Sequence, residues 1–164
     1  MKYVRIPTPA AGQDMAIDAN TYLESLPQLA PSLPAGARAF ATDLGHYDFF
    51  GPRCVKDLKF GDLTFDNAEE ETIVVITFRH NCWKHEEDLT VRYTGVHDVS
   101  ANVDMRSHWR RMQPEVILDE ILPHPHGCSH EIAMHGGSIF ITCRDLTADW
   151  ADADCPDKPA GDRS

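Results

Sequence analysis

Two short segments in the middle of the chain are rich in side chains that bind metals. The first covers residues 80–85 and the second covers residues 124–130. Imidazole nitrogens and cysteine thiolates are the ligands that zinc and other divalent transition metals prefer. The histidines and the cysteine of the second segment occupy alternate positions, so an extended strand would point them to one side. The candidate metal ligands are therefore His80, Cys82, His85, His124, His126, Cys128 and His130.

The spacing of these residues matches no established zinc pattern. Neither segment contains paired Cys-x-x-Cys or the order of a Cys₂His₂ finger. Pro125 and Gly127 favour a bent loop, which weakens the argument from alternation. A metal-binding protein or metal-dependent enzyme is thus the alternative interpretation of the chain. It requires that both segments form turns at the same end of a sheet, with their side chains converging on one ion.

Two partial motifs within the second segment are rejected. His130 and His135 are five residues apart, one more than the helical zinc-protease motif allows, so both could not face one ion. The order of His124, His126 and Glu131 resembles part of the first cupin motif, but no histidine follows His135 to complete a second motif. No catalytic residue is predicted, because phosphate-binding glycine loops and nucleophile elbows are also lacking.

Charge points to a protein partner rather than to nucleic acid or membrane. The 164 residues carry a formal net charge of -11, which repels phosphate-rich surfaces and attracts a basic protein. Solubility alone is the competing explanation of this charge. A local basic and aromatic stretch offers a candidate contact surface, since tryptophan and arginine are enriched at interfaces. The candidate partner-binding residues are His108, Trp109, Arg110 and Arg111, although Trp109 would serve the core equally well.

The cellular compartment is inferred from cysteine count and hydropathy. Five cysteines are an odd number without paired spacing, which favours reduced thiols in the cytoplasm. No apolar run approaches the roughly 20 residues of a membrane-spanning helix. The first residues lack the apolar stretch of a signal peptide.

The elements that would position these residues form an α+β fold. Within the helical part, residues 1–45, a helical period is followed by Ala19, Tyr22, Leu23 and Leu26, and Pro27 should end it. Residues 36–41 could add a short helical turn. From residue 54 to residue 146 the period changes to two, which predicts five or six antiparallel strands in an up-and-down meander. We expect one domain over residues 1–150 and an acidic, flexible tail over residues 151–164.

Several strand features carry specific expectations. Gly61 predicts either a hairpin turn or a bulge within one strand, and the strand containing Tyr93 should end near Gly95. Asp119 and Glu120 are neighbours in an apolar strand, so they point to opposite faces and cannot act as one carboxylate pair. We expect them to make structural hydrogen bonds or to protect a sheet edge.

The sheet region resembles small bacterial proteins of unknown function that are related to immunity proteins of polymorphic toxins. The resemblance covers roughly residues 46–150 and rests on strand patterns and short polar motifs. These are residues 46–48, 54–58, 89–96, 119–121, 130–132 and 139–141. The resemblance implies a single-domain cytoplasmic protein that binds a basic toxin and occludes it, and it brings no catalytic residue. Apart from His130, the histidine–cysteine segments are not part of the resemblance.

Overall fold

The computed structural model describes residues 1–6, 16–68, 71–103 and 114–154. A short helical N-terminal part precedes six strands, which confirms the predicted α+β class. The helices are α1 (Asn20–Leu29) and α2 (Ala35–Ala41), joined by a 3₁₀ turn (Ala30–Ser32). The strands are β1 (Lys59–Ala68), β2 (Glu71–Arg79), β3 (Glu87–Val103), β4 (Val116–His124), β5 (Gly127–Met134) and β6 (Gly137–Asp152).

All six strands are antiparallel and follow the order β1-β2-β3-β6-β5-β4. The expected simple meander is therefore wrong, because β6 lies between β3 and β5. The two longest strands pair over almost their whole length, from Glu87 opposite Asp152 to Val103 opposite Gly137. Strand β3 accordingly continues past Gly95, where we expected it to end, and β6 extends the sheet beyond residue 146 to Asp152.

Edge strands β1 and β4 meet at one end, so the sheet closes on itself there. Lys59 and Glu115 form an antiparallel bridge. The backbone N–H of Val116 donates to the carbonyl of Leu58 at 2.8 Å, and the N–H of Asp57 donates to the carbonyl of Val116 at 2.8 Å. These bonds satisfy backbone groups that an open edge would leave unpaired.

The buried face of the two long strands changes along their length. Ile141 and Cys143 of β6 are buried at odd positions, whereas Leu146 is buried at an even one. The change occurs beside Gly95 of β3, whose φ of 59° is one that residues with a side chain rarely adopt. Gly61 marks a bulge within β1 rather than a hairpin turn, which settles the two alternatives in favour of the bulge.

Helix α1 packs on β4 through a buried tyrosine. The hydroxyl of Tyr22 donates to the carbonyl of Ile121 at 2.7 Å and accepts from its N–H at 3.3 Å. The expectation that Pro27 ends this helix is wrong, because α1 continues to Leu29 with the proline inside. Pro27 lies in the last turn, where the missing N–H removes a single backbone bond and little helix remains to be disrupted.

Helix α2 is fixed to β6 by one aspartate. The carboxylate of Asp145 accepts backbone N–H groups from Gly36 at 3.1 Å, Ala37 at 2.9 Å and Leu146 at 2.8 Å. A side chain at Gly36 would place its Cβ 2.0 Å from the carbonyl oxygen of Leu146. The helix therefore approaches the strand closely, with a negative charge at its N-terminal end.

Glu120 ties the beginning of the chain to β4. Its carboxylate accepts the N–H groups of Lys2 and Tyr3, each at 2.6 Å, and of Val4 at 2.8 Å. Glu120 is 2% exposed, so these bonds are buried, and the expectation of a structural hydrogen bond is confirmed.

Among the described residues no helix is long and apolar enough to cross a membrane. Of the expected acidic tail, residues 151 and 152 belong to β6, and residues 155–164 lie outside the described part.

Replacing Asp145 with alanine is expected to lower the free energy of unfolding by about 1–3 kcal/mol, because three backbone donors lose their acceptor. Urea denaturation followed by circular dichroism measures the change. Asp149 is an exposed residue of the same strand, and Asp149→Ala should stay within about 0.5 kcal/mol of the parent. Equal losses in both variants would show that Asp145 does not fix the helix.

Candidate functional site

A buried aspartate bridges two histidines in the protein interior. Asp119 of β4 lies 2.8 Å from Nε2 of His46 through Oδ1 and 2.8 Å from Nε2 of His130 through Oδ2. His46 belongs to the loop after α2, and His130 belongs to β5. The three residues are between 1% and 2% exposed. One carboxylate therefore joins a loop to two neighbouring strands inside the core.

The hydrogen-bond partners determine where the protons of this network lie. Nδ1 of His46 is 2.9 Å from the carbonyl of Phe40, which only accepts, so this nitrogen carries a proton. Nε2 of His46 donates to Asp119, so this nitrogen carries a proton as well. The ring of His46 is therefore an imidazolium beside an ionised carboxylate. Nδ1 of His130 is 2.8 Å from the hydroxyl of Tyr93, and the Nε2 of the same ring donates to Asp119 at 2.8 Å.

The electrostatics of the network agree with an ionised Asp119. Burial by itself raises the pKa of this carboxyl, but the charge of His46 and hydrogen bonds from both histidines lower the pKa well below its ordinary value. Burial raises the pKa of Tyr93 and of Tyr47 well above the ordinary value for tyrosine, and both hydroxyls remain donors. Tyr47 donates to the carbonyl of Asp119 at 3.3 Å.

The space beside the network is too small for a substrate. A cavity of about 10 Å³ is lined by Asp119, His130 and apolar side chains such as Phe40 and Leu58. This volume is close to the minimum for a single water molecule. The network can therefore hold a charge pair and position the loop that carries His46, but the cavity has no room for a reacting molecule.

Removing the carboxylate charge should strongly destabilise the fold. Asp119→Asn leaves His46 without a counter-ion in the core, and the expected loss in the free energy of unfolding at pH 7 is about 3–5 kcal/mol. Chemical denaturation measures this loss. The matched variant is Asp149→Asn, which removes one charge from an exposed position. A loss no larger than that of the matched variant would contradict an ionised pair.

The lowered pKa of Asp119 also predicts a dependence on pH. Because the folded pKa lies below the ordinary value of 3.8, the stabilisation is complete above that value and is lost as the pH falls through the folded pKa. The free energy of unfolding should therefore decrease below about pH 4. Carboxyl ¹³C chemical shifts should show that Asp119 is still ionised after the pH has fallen below 3.8. Protonation of Asp119 near pH 4 would refute the assignment.

The first histidine–cysteine segment forms a braced turn between β2 and β3. Both the backbone N–H and Nδ1 of His80 lie 2.7 Å from Oδ1 of Asp88. His85 accepts from the N–H of Asn81 at 3.2 Å and donates through Nε2 to the carbonyl of Cys54 at 2.9 Å. Burial lowers the pKa of His85, consistent with this neutral ring. These histidines thus make structural hydrogen bonds, and Cys82 is half-buried in the same turn.

The second segment is divided between the core and the surface. His130 belongs to the buried network, and the Sγ of Cys128 is buried 3.5 Å from the Sγ of Cys143. His126 is exposed and stacks on His97 with ring centroids 3.7 Å apart. The ring of His124 lies 5.3 Å from that of His126. His97 escaped the sequence reasoning because it lies in β3, far along the chain from its spatial neighbours.

The convergence of the two segments that the metal-binding alternative requires is not found among the described residues. Glu87, which follows the first segment, begins β3, whereas Cys128 of the second pairs with Cys143, level with Val96 of β3. The two turns therefore lie at different levels of β3, nine residues apart along the strand. Within residues 1–6, 16–68, 71–103 and 114–154, no group of three or more His, Cys, Asp or Glu is arranged to hold a metal ion. The structure therefore brings no ligand set together from the seven candidates.

Three large apolar side chains are exposed in the loop after α2 and in the turn between β2 and β3. Leu44 is 98% exposed, Phe50 is 94% exposed and Trp83 is 69% exposed. We call these three residues the apolar loop surface. Arg53 joins the two segments through a two-bond ion pair to Glu87, at 2.6 Å and 2.8 Å. The bond from His85 to the carbonyl of Cys54 joins them again.

A groove adjoins the apolar loop surface between α1 and the loop. It has a volume of about 400 Å³. Apolar and aromatic side chains form most of its wall, and two exposed carboxylates lie at its border. The lining includes Leu23, Leu26, Ala41, Leu44 and Tyr47, with Asp43 and Asp48 as the carboxylates. Sequence reasoning missed the groove and the apolar loop surface, because irregular loops give no periodic signal of which apolar residues face water.

The predicted contact residues His108, Trp109, Arg110 and Arg111 lie outside the described residues. The sequence matches no protein-family model, and no curated protein matches it significantly.

Proposed function

We propose that this chain is an acidic cytoplasmic binding protein of the immunity type, which neutralises a basic toxin by covering its surface. The exposure of Phe50 and Leu44 on a braced loop is the observation that carries the proposal. Water-exposed aromatic and aliphatic side chains on a rigid frame are typical anchors of protein interfaces. The resemblance of residues 46–150 to immunity proteins supports the same class of function.

Loop rigidity is the second support. His46 lies between Leu44 and Phe50 in sequence and is held by Asp119 at 2.8 Å. Arg53 holds the following residues to Glu87. A surface that is already ordered loses less conformational entropy on binding, so more of the contact energy appears as affinity.

Charge is the third support. Asp43 and Asp48 are exposed in the loop itself, and the chain carries a net charge of -11. A negative potential accelerates encounter with a positively charged partner and disfavours acidic competitors. Occlusion then needs only a stable complex, with apolar anchors at its centre and carboxylates around them.

A growth assay tests the proposal. The protein is co-expressed with the product of each adjacent gene, and we expect one basic product to stop growth alone and to be tolerated beside the parent protein. Phe50→Ala should weaken the purified complex about tenfold or more, as measured by calorimetry, because a central aromatic anchor is truncated. The folding stability should change little, since Phe50 is 94% exposed.

Phe65→Ala is the matched control, because Phe65 is 61% exposed but lies on β1. It should leave the affinity unchanged. Equal weakening by both variants would contradict a role for the apolar loop surface. If no adjacent gene product is toxic, or if the toxic product is not bound, the immunity-type function is refuted.

A further inference from the structure

We infer that the groove between α1 and the following loop binds a basic partner segment with one apolar anchor side chain flanked by lysine or arginine. This inference rests on the proposed function and identifies the part of the partner that the protein recognises. The groove has a volume of about 400 Å³, which lies in the range of sites that bury small ligands. Its open side gives an extended segment access.

The wall of the groove suits an apolar anchor. Leu23 and Leu26 contribute from α1, and Tyr47 contributes from the loop. Leu44 is 98% exposed at the same site, so it gains most from being covered. Burial of apolar area on both partners would supply the main favourable free energy of binding.

The border of the groove suits flanking cations. Asp43 accepts the N–H of Gly45 at 2.7 Å through Oδ1, and Asp48 accepts the N–H of Phe50 at 3.3 Å through Oδ1. These local bonds orient both carboxylates, and no bond of Oδ2 of either residue to a donor is found within the described residues. Carboxylates paired with lysine or arginine across a border favour a basic segment over an acidic one.

The wall itself is firmly held. The hydroxyl of Tyr47 donates to the carbonyl of Asp119 at 3.3 Å, and the ring stacks on His46 at 4.3 Å. The neighbouring ring of Tyr22, at 5.3 Å from Tyr47, is hydrogen-bonded to β4. The buried network therefore fixes one wall of the groove, which makes it a preformed site.

Two synthetic nine-residue peptides provide the test, one with a central tryptophan flanked by lysines and the other with glutamates in place of the lysines. Each is titrated into the ¹⁵N-labelled full chain and followed by amide chemical shifts. We expect the lysine peptide to shift the amide signals of residues 23–26 and 41–48 and the glutamate peptide to leave them unchanged. Shifts outside these ranges alone, or equal shifts with both peptides, would overturn the inference.

A charge-matched pair of variants separates the groove from general attraction. The double variant Asp43→Asn/Asp48→Asn keeps an oxygen acceptor in each loop turn but removes both charges, and the lysine peptide should bind about fivefold to tenfold more weakly. The control Asp62→Asn/Asp66→Asn removes the same charge from exposed positions of β1 and should bind like the parent. Equal weakening by both double variants would overturn the inference.

The outcome also distinguishes this inference from the proposed function. A toxin that is neutralised equally well by the parent and by Asp43→Asn/Asp48→Asn would leave the immunity-type function intact and refute the groove. If the lysine peptide binds in the groove but no adjacent gene product is toxic, the inference about the groove stands and the immunity-type function is refuted.

Discussion

The buried pair of His46 and Asp119 is the interaction on which the rest of this structure depends. An unpaired charge in the core would cost several kcal/mol, so the loop after α2 must bring its histidine to β4. Asp119 also holds His130, and through it Tyr93 of β3. One carboxylate thereby connects the loop, β4, β5 and β3. Local turn bonds to the carboxylates of Asp43 and Asp48 shape the loop, and the charge pair fixes its position on β4.

This constraint explains how the protein can expose Leu44 and Phe50. Apolar side chains in a free loop would fold back onto the nearest apolar surface, because water disfavours their exposure. Here His46 is anchored between them, and Arg53 fixes the next residues to Glu87. The anchors restrict the paths open to the loop and keep both side chains in water. A partner that covers both side chains would remove them from water, and this burial would favour binding.

The elements could be predicted from the sequence better than their arrangement. The helical period of Tyr22 and Leu26, the alternation in β2 and β3, and the opposite faces of Asp119 and Glu120 all reflect local geometry, and the structure confirms each. The insertion of β6 beside β3 was missed. It depends on pairing between residues about 50 apart in the chain, such as Val96 and Cys143, and sequence proximity does not report such pairing.

The sequence by itself determined the α+β class, the type of most elements and the negative net charge, because these depend on near neighbours and on composition. Tertiary structure alone decided the roles of the histidines. His46 drew no attention outside the resemblance, yet it forms the central charge pair, whereas His80 and His85 stabilise a turn. Imidazole binds a metal, a proton or a carbonyl according to what surrounds it, and those surroundings exist only after distant strands have paired.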